Sequence, residues 1–152
     1  MKPSVLFLSA FLFGGCAASS TRPLEPWRLE IATSGGIAGR GAGTYALASD
    51  GQVTATLTDG RRCTFALTAT ELRGFADLLR NARPASWKAS YVPENPCCDR
   101  FEYVLTLDEG GTITKTKWID DPLPLPPDLE ALSGAVIGGE KSLRALGAER
   151  CP

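Results

Sequence analysis

Histidine is missing from all 152 residues, and that absence closes off a wide range of chemistry. Ser-His-Asp and Cys-His nucleophile systems, imidazole acid–base steps and most catalytic zinc sites depend on it. An excess of one charge sign is lacking too. Sixteen Lys and Arg stand against seventeen Asp and Glu, so no basic surplus draws the chain onto nucleic acid. No polybasic patch addresses anionic lipid. Carboxylates remain, and Asp108-Glu109 and Asp120-Asp121 are adjacent pairs. Both sit beside turn residues, where acidic side chains ordinarily face water. No catalytic residue, metal ligand set or cofactor site is expected from these residue types, and the chain reads as a non-enzyme.

Long apolar runs are scarce. The prominent one is Val5–Phe13, broken only by Ser9 and preceded by Lys2. It is shorter than the roughly 20 residues a bilayer span needs, and with the small residues after it follows the plan of a secretory signal. Leu12-Phe13-Gly14-Gly15-Cys16 resembles the lipobox of bacterial lipoproteins. That resemblance implies cleavage before Cys16, diacylglycerol on its thiol and acylation of the new amino end. Several acyl chains suffice for stable anchoring. Alanine rather than aspartate at position 17 implies, by the same likeness, sorting to the outer membrane facing the periplasm. The alternative is an ordinary secretory signal cut after Ala17 or Ala18.

The expected organisation is a signal over 1–15, a lipidated cysteine and tether over 16–26, and one domain over 27–152. The tether, AASSTRPLEP after Cys16, is small, polar and proline-bearing. Cleavage would leave 137 residues, enough for one domain with a real core. Cys63, Cys97, Cys98 and Cys151 then form an even set in an exported chain. Adjacent cysteines hold their side chains badly for a disulfide torsion. Cys97 and Cys98 are therefore expected to reach separately to Cys63 and Cys151. Zinc ligation is the alternative, but the Cys-x2–4-Cys spacing it favours is lacking.

Alternation of apolar and polar residues marks strands at Trp27–Ile31, Tyr45–Leu47, Val53–Leu57 and Cys63–Leu67. Asp50-Gly51 and Asp59-Gly60 supply the turns between them. Thr68-Ala69-Thr70-Glu71 fits a capping box, and Leu72, Phe75, Ala76, Leu79 and Ala82 form a helical stripe ended by Pro84. Phe101, Tyr103, Leu105 and Leu107 predict another strand, and Thr112–Ile119 its return. The prolines at 122–127 cannot continue a ladder. They lead to a helix carrying Leu129, Leu132 and Val136, which Gly138-Gly139 ends, with a short turn over Ser142–Leu146. The expected fold is α+β: a mainly antiparallel sheet of about five strands with two helices on one face.

The segment SGGIAGRGAG, residues 34–43, remains. Gly41-Ala42-Gly43-Thr44-Tyr45-Ala46 matches the dinucleotide pattern G-x-G-x-x-A, which works only where a helix begins within it. Thr44–Ser49 is too short for that helix. A flexible hairpin connection is one remaining reading. The other is a contact surface, since a loop poor in side chains can enter a narrow cleft, presenting Ile37 and Arg40.

The first strand, the element Ser34-Gly35-Gly36-Ile37-Ala38-Gly39, the leucine-rich helix and the strand Asp99-Arg100-Phe101-Glu102-Tyr103 together resemble the emfourin family. Asp120-Asp121 followed by prolines and a helix agrees with that likeness, which covers roughly Arg28–Ile137. Emfourins are small bacterial inhibitors of thermolysin-like metalloproteases. The resemblance implies an inhibitory loop at Ser34, Gly35, Gly36, Ile37 and Gly39 that blocks a protease cleft, with no catalytic residue required. The expected function is a membrane-anchored protein-binding module that inhibits such a protease. The rival is an accessory or structural envelope lipoprotein that holds another partner.

Overall fold

The alternation that starts at Trp27 is the pattern of a strand with one wet and one dry face. The computed structural model describes residues 25–36, 43–96, 99–120 and 122–151. In it the strand is β1 (Trp27–Gly35), followed by β2 (Gly43–Ala48), β3 (Gln52–Thr56) and β4 (Arg62–Ala66). Helix α1 (Ala69–Asn81) comes next, then β5 (Phe101–Glu109), β6 (Thr112–Ile119), α2 (Pro127–Ile137) and α3 (Leu143–Arg150). The strands lie in the order β4-β3-β2-β1-β5-β6 with every neighbouring pair antiparallel. β4 and β5 consequently run in the same direction, with three strands between them, and α1 lies on the crossover between them.

Register explains the core. Leu47, Leu29 and Leu107 stand opposite one another across three strands, and Tyr45, Ile31 and Leu105 form the next row. Val53 extends the first row and Ala55 the second. Phe75 and Leu79 of α1, Leu129, Leu132 and Val136 of α2, and Leu143 of α3 join these rows in one buried cluster. Each such side chain contributes roughly 1.5–3 kcal/mol by leaving water. The residues between them, among them Arg28, Glu30, Thr54, Thr64 and Glu102, belong to the opposite face.

The fold class is the expected α+β arrangement, with six strands where about five were expected and three helices rather than two. The short strands count separately because each turn reverses the chain fully. Asp50 Oδ1 accepts from the Gln52 amide at 2.9 Å and Asp59 Oδ1 from the Arg61 amide at 3.0 Å. The added helix, α3, starts at a genuine cap: the Ser142 hydroxyl accepts from the Ala145 amide at 3.2 Å. Gly147 interrupts its sequence pattern for a steric reason. A methyl group there would lie 2.9 Å from the Tyr45 ring.

The capping box at the start of α1 is formed. Glu71 N–H donates to Thr68 Oγ1 at 3.2 Å, and Thr68 N–H donates to Glu71 Oε2 at 2.7 Å. Glu71 also receives Arg150, whose Nη2 donates to Oε1 at 2.7 Å, while Arg150 Nη1 donates to the Ala66 carbonyl at 3.0 Å. One carboxylate therefore ties the end of α3 to the start of α1.

The same end of α3 carries a covalent tie, and here the expected pairing is corrected. Cys151 is bonded to Cys63 of β4, with Cα atoms 5.9 Å apart, and not to Cys97 or Cys98. The reason is the position of α3, which runs beside edge strand β4 and brings Cys151, the residue after its end, to Cys63; a sequence pattern without α3 could not show this. Cys97 and Cys98 lie outside the described residues, as do the signal, Cys16 and most of the tether. Among the described residues no helix is long and apolar enough to cross a membrane.

Two measurements check these ties. The bridge closes 88 residues of sequence, so the Cys63→Ser/Cys151→Ser double variant should lose about 2–5 kcal/mol in a denaturant titration. An unchanged midpoint would show that the bridge adds nothing. The Arg150 guanidinium, outweighing the opposing effect of burial, holds the Glu71 carboxyl below its ordinary value of 4.5. Its contribution is therefore complete above that value and is lost as pH falls through the lowered one. Glu71→Gln should flatten the acid side of the stability–pH curve and leave wild-type steepness only where other carboxylates titrate.

Candidate functional site

Antiparallel order sorts the connections between two poles of the sheet. The end of β1, the start of β2, the β3–β4 turn, the start of β5 and the end of β6 share one pole, called here the loop pole. The start of β1, the β2–β3 turn and the β5–β6 turn share the other, the base pole.

The glycine segment leaves from the loop pole. Ser34 and Gly35 are the last two residues of β1, opposite Glu102 and Phe101. Gly35 has φ +84° and Gly36 φ +73°, values that L side chains rarely adopt. Space gives a second reason. A Cβ on Gly35 would collide with the Arg100 carbonyl oxygen, and one on Gly36 with the Phe101 ring. The Gly36 amide donates to the Arg100 carbonyl at 3.2 Å. These two glycines let β1 turn away while lying flat against the start of β5. Ile37, Gly39 and Arg40, the other predicted contact residues, lie outside the described residues.

The surface against which they turn is itself clamped. Both oxygens of Asp120 are occupied: Oδ2 accepts from the Phe101 amide at 3.1 Å and Oδ1 from the Tyr103 hydroxyl at 2.7 Å. The Asp120 amide donates back to the Phe101 carbonyl at 3.2 Å. Tyr103 stacks on Trp118 with ring centroids 5.7 Å apart. Burial first, and then the bond to Asp120 and its charge, push the Tyr103 phenol up to about 12. It therefore stays protonated and donates throughout the neutral range.

The other sequence candidates resolve simply. Thr44, Tyr45 and Ala46 lie in β2 with no helix following, so the G-x-G-x-x-A match has no helix amides to offer a phosphate. Asp108 Oδ1 accepts from the Gly111 amide at 2.9 Å and serves the β5–β6 turn. Asp121 lies outside the described residues. Among the described residues no group of three or more His, Cys, Asp or Glu is placed to hold a metal ion, and no buried side-chain nitrogen or oxygen lacks a hydrogen-bond partner. An open groove of about 440 Å³ lies at the base pole, lined by Glu25, Pro26, Trp27, Ser49, Leu72, Arg73 and Ala76. None of the predicted site residues lines it.

Sequence reasoning reached the glycines but missed Asp120 as the residue that fixes their support. Its signal was a carboxylate directly after a strand whose partner strand opens Phe-x-Tyr, and this becomes readable only once the β5–β6 register is known. Comparison of the chain with known protein families, with curated proteins and with solved structures finds no match.

Removing the clamp should be measurable in two ways. Asp120→Ala removes two hydrogen bonds of about 0.5–1.5 kcal/mol each, so a denaturant midpoint should fall by a corresponding amount. Ultraviolet titration of the phenol should show Tyr103 ionising at lower pH, but only part of the way towards 10. Burial, the larger cause, is left in place. A Tyr103 titration identical to wild type would mean that the Asp120 bond does not form in solution.

Proposed function

We propose that this chain is an envelope lipoprotein anchored through Cys16, facing the periplasm from the outer membrane. Its domain binds a protein partner with the loop pole and inhibits a thermolysin-like metalloprotease. The observation that carries the reading is the stem of the glycine segment: Gly35 and Gly36 lie flat on a strand start, where the amide and carbonyl of Phe101 are both bonded to Asp120. A contact loop on a fixed stem loses less conformational freedom on binding than one on a mobile stem. Residues with few side chains suit a narrow cleft, and blocking a cleft makes or breaks no covalent bond. The likeness of Ser34–Gly39 and Asp99–Tyr103 to emfourins supplies the class of partner.

The test uses the mature chain with Cys16→Ser, titrated against a panel of thermolysin-like enzymes. Inhibition should appear at or below micromolar concentration. Ile37→Asp combined with Arg40→Glu should weaken it by about tenfold or more, equivalent to about 1.4 kcal/mol, with an unchanged melting temperature. If micromolar wild-type protein slows none of these enzymes, the inhibitor reading fails and the accessory lipoprotein holding another partner takes its place. In cells, Cys16→Ser should move the protein from the membrane to the soluble fraction. Continued membrane retention would rule out the lipid link.

A further inference from the structure

β1 fixes where the two ends of this molecule lie. Its first residue, Trp27, pairs with Glu109 beside the β5–β6 turn, and its last, Gly35, pairs with Phe101 at the loop pole. Nine residues at about 3.3–3.4 Å each separate those points by roughly 27 Å. The lead-in to β1 is already held down at the base pole. The Gly110 amide donates to the Pro26 carbonyl at 3.0 Å, and the Ser49 amide to the Trp27 carbonyl at 2.9 Å. The domain is therefore held from Pro26 onward.

We infer that anchorage through Cys16 sets the base pole towards the lipid and the loop pole away from it. The partner is then a soluble protein arriving from the aqueous compartment, not a neighbour embedded in the same leaflet. This rests on the lipid anchor proposed above. Chain length decides between the upright and inverted placements. From Cys16 to Glu25 there are nine Cα–Cα steps, and a fully extended chain of nine residues reaches only about 30–32 Å. Inversion lifts the base pole away from the bilayer by the length of β1, roughly 27 Å, and so consumes nearly the whole reach. The inverted placement carries an entropy cost that the upright one escapes.

The experiment reconstitutes the acylated mature lipoprotein into phosphatidylcholine vesicles that carry an acceptor dye on their headgroups. A fluorescent amino acid is placed either at Thr112, at the base pole, or at Thr58, in the β3–β4 turn at the loop pole. Energy transfer to the membrane should be about twofold or more stronger from position 112, given a pole separation of about 27 Å. Equal transfer, or stronger transfer from position 58, overturns the inference while leaving the anchor intact. A chain that does not associate with the vesicles at all removes the anchor, and the polarity with it.

Discussion

The whole molecule depends on β1 being hydrogen-bonded along both edges. It lies between β2 and β5, with its inward side chains Leu29 and Ile31 each opposed by a large apolar residue on both neighbours. A register slip of one residue would turn Leu29, Ile31 and Thr33 to the wet face and Arg28 and Glu30 into the core. That penalty fixes the register, and the register places everything else. It sets Gly35 against Phe101 and the start of the domain against Glu109. The stem of the candidate contact loop is thus a continuation of a strand paired along both edges, not an appendage to it.

Packing on one face explains how a small domain can hold such a stem. α1, α2 and α3 contribute to one cluster with the inward rows of the sheet, and the ties are redundant where α3 ends. There a cystine, an arginine–carboxylate contact and a bond to the Ala66 carbonyl meet within a few residues. The opposite end of the sheet has its own tie in Asp120. Both edges of the sheet are therefore braced by groups that lie apart in the sequence.

How much of this was legible beforehand follows from the range of each interaction. The capping box at Thr68–Glu71, the stripe on α1, the Asp-Gly turns and the Leu129–Leu132–Val136 face are local patterns, and they appear where their spacing places them. The Cys63–Cys151 bridge, the Asp120 clamp and the Arg150–Glu71 contact join residues far apart in the chain. Nothing in their neighbours' sequence points across that gap. α3 was hidden for a related reason: Gly147 looks like a helix breaker until the Tyr45 ring is seen against it. The glycines at 35 and 36 were legible as glycines, but their purpose was not, because Arg100 and Phe101 supply it.

Alternation of strand direction has one more consequence. Among the described residues, the segments that meet at the loop pole, namely the β3–β4 turn, the stretch leading into β5 and the chain leaving β6, come from three separate places in the sequence. The stretch leading into β5 is tied to the core through Trp87 and Tyr91, and Leu125 beyond β6 packs against it, whereas Thr58, Asp59 and Gly60 of the β3–β4 turn are exposed. Changes in length or composition at the exposed tip of that turn leave the hydrophobic registry undisturbed. Strands β3 and β4 can in this way retain their sequence while the turn that joins them varies.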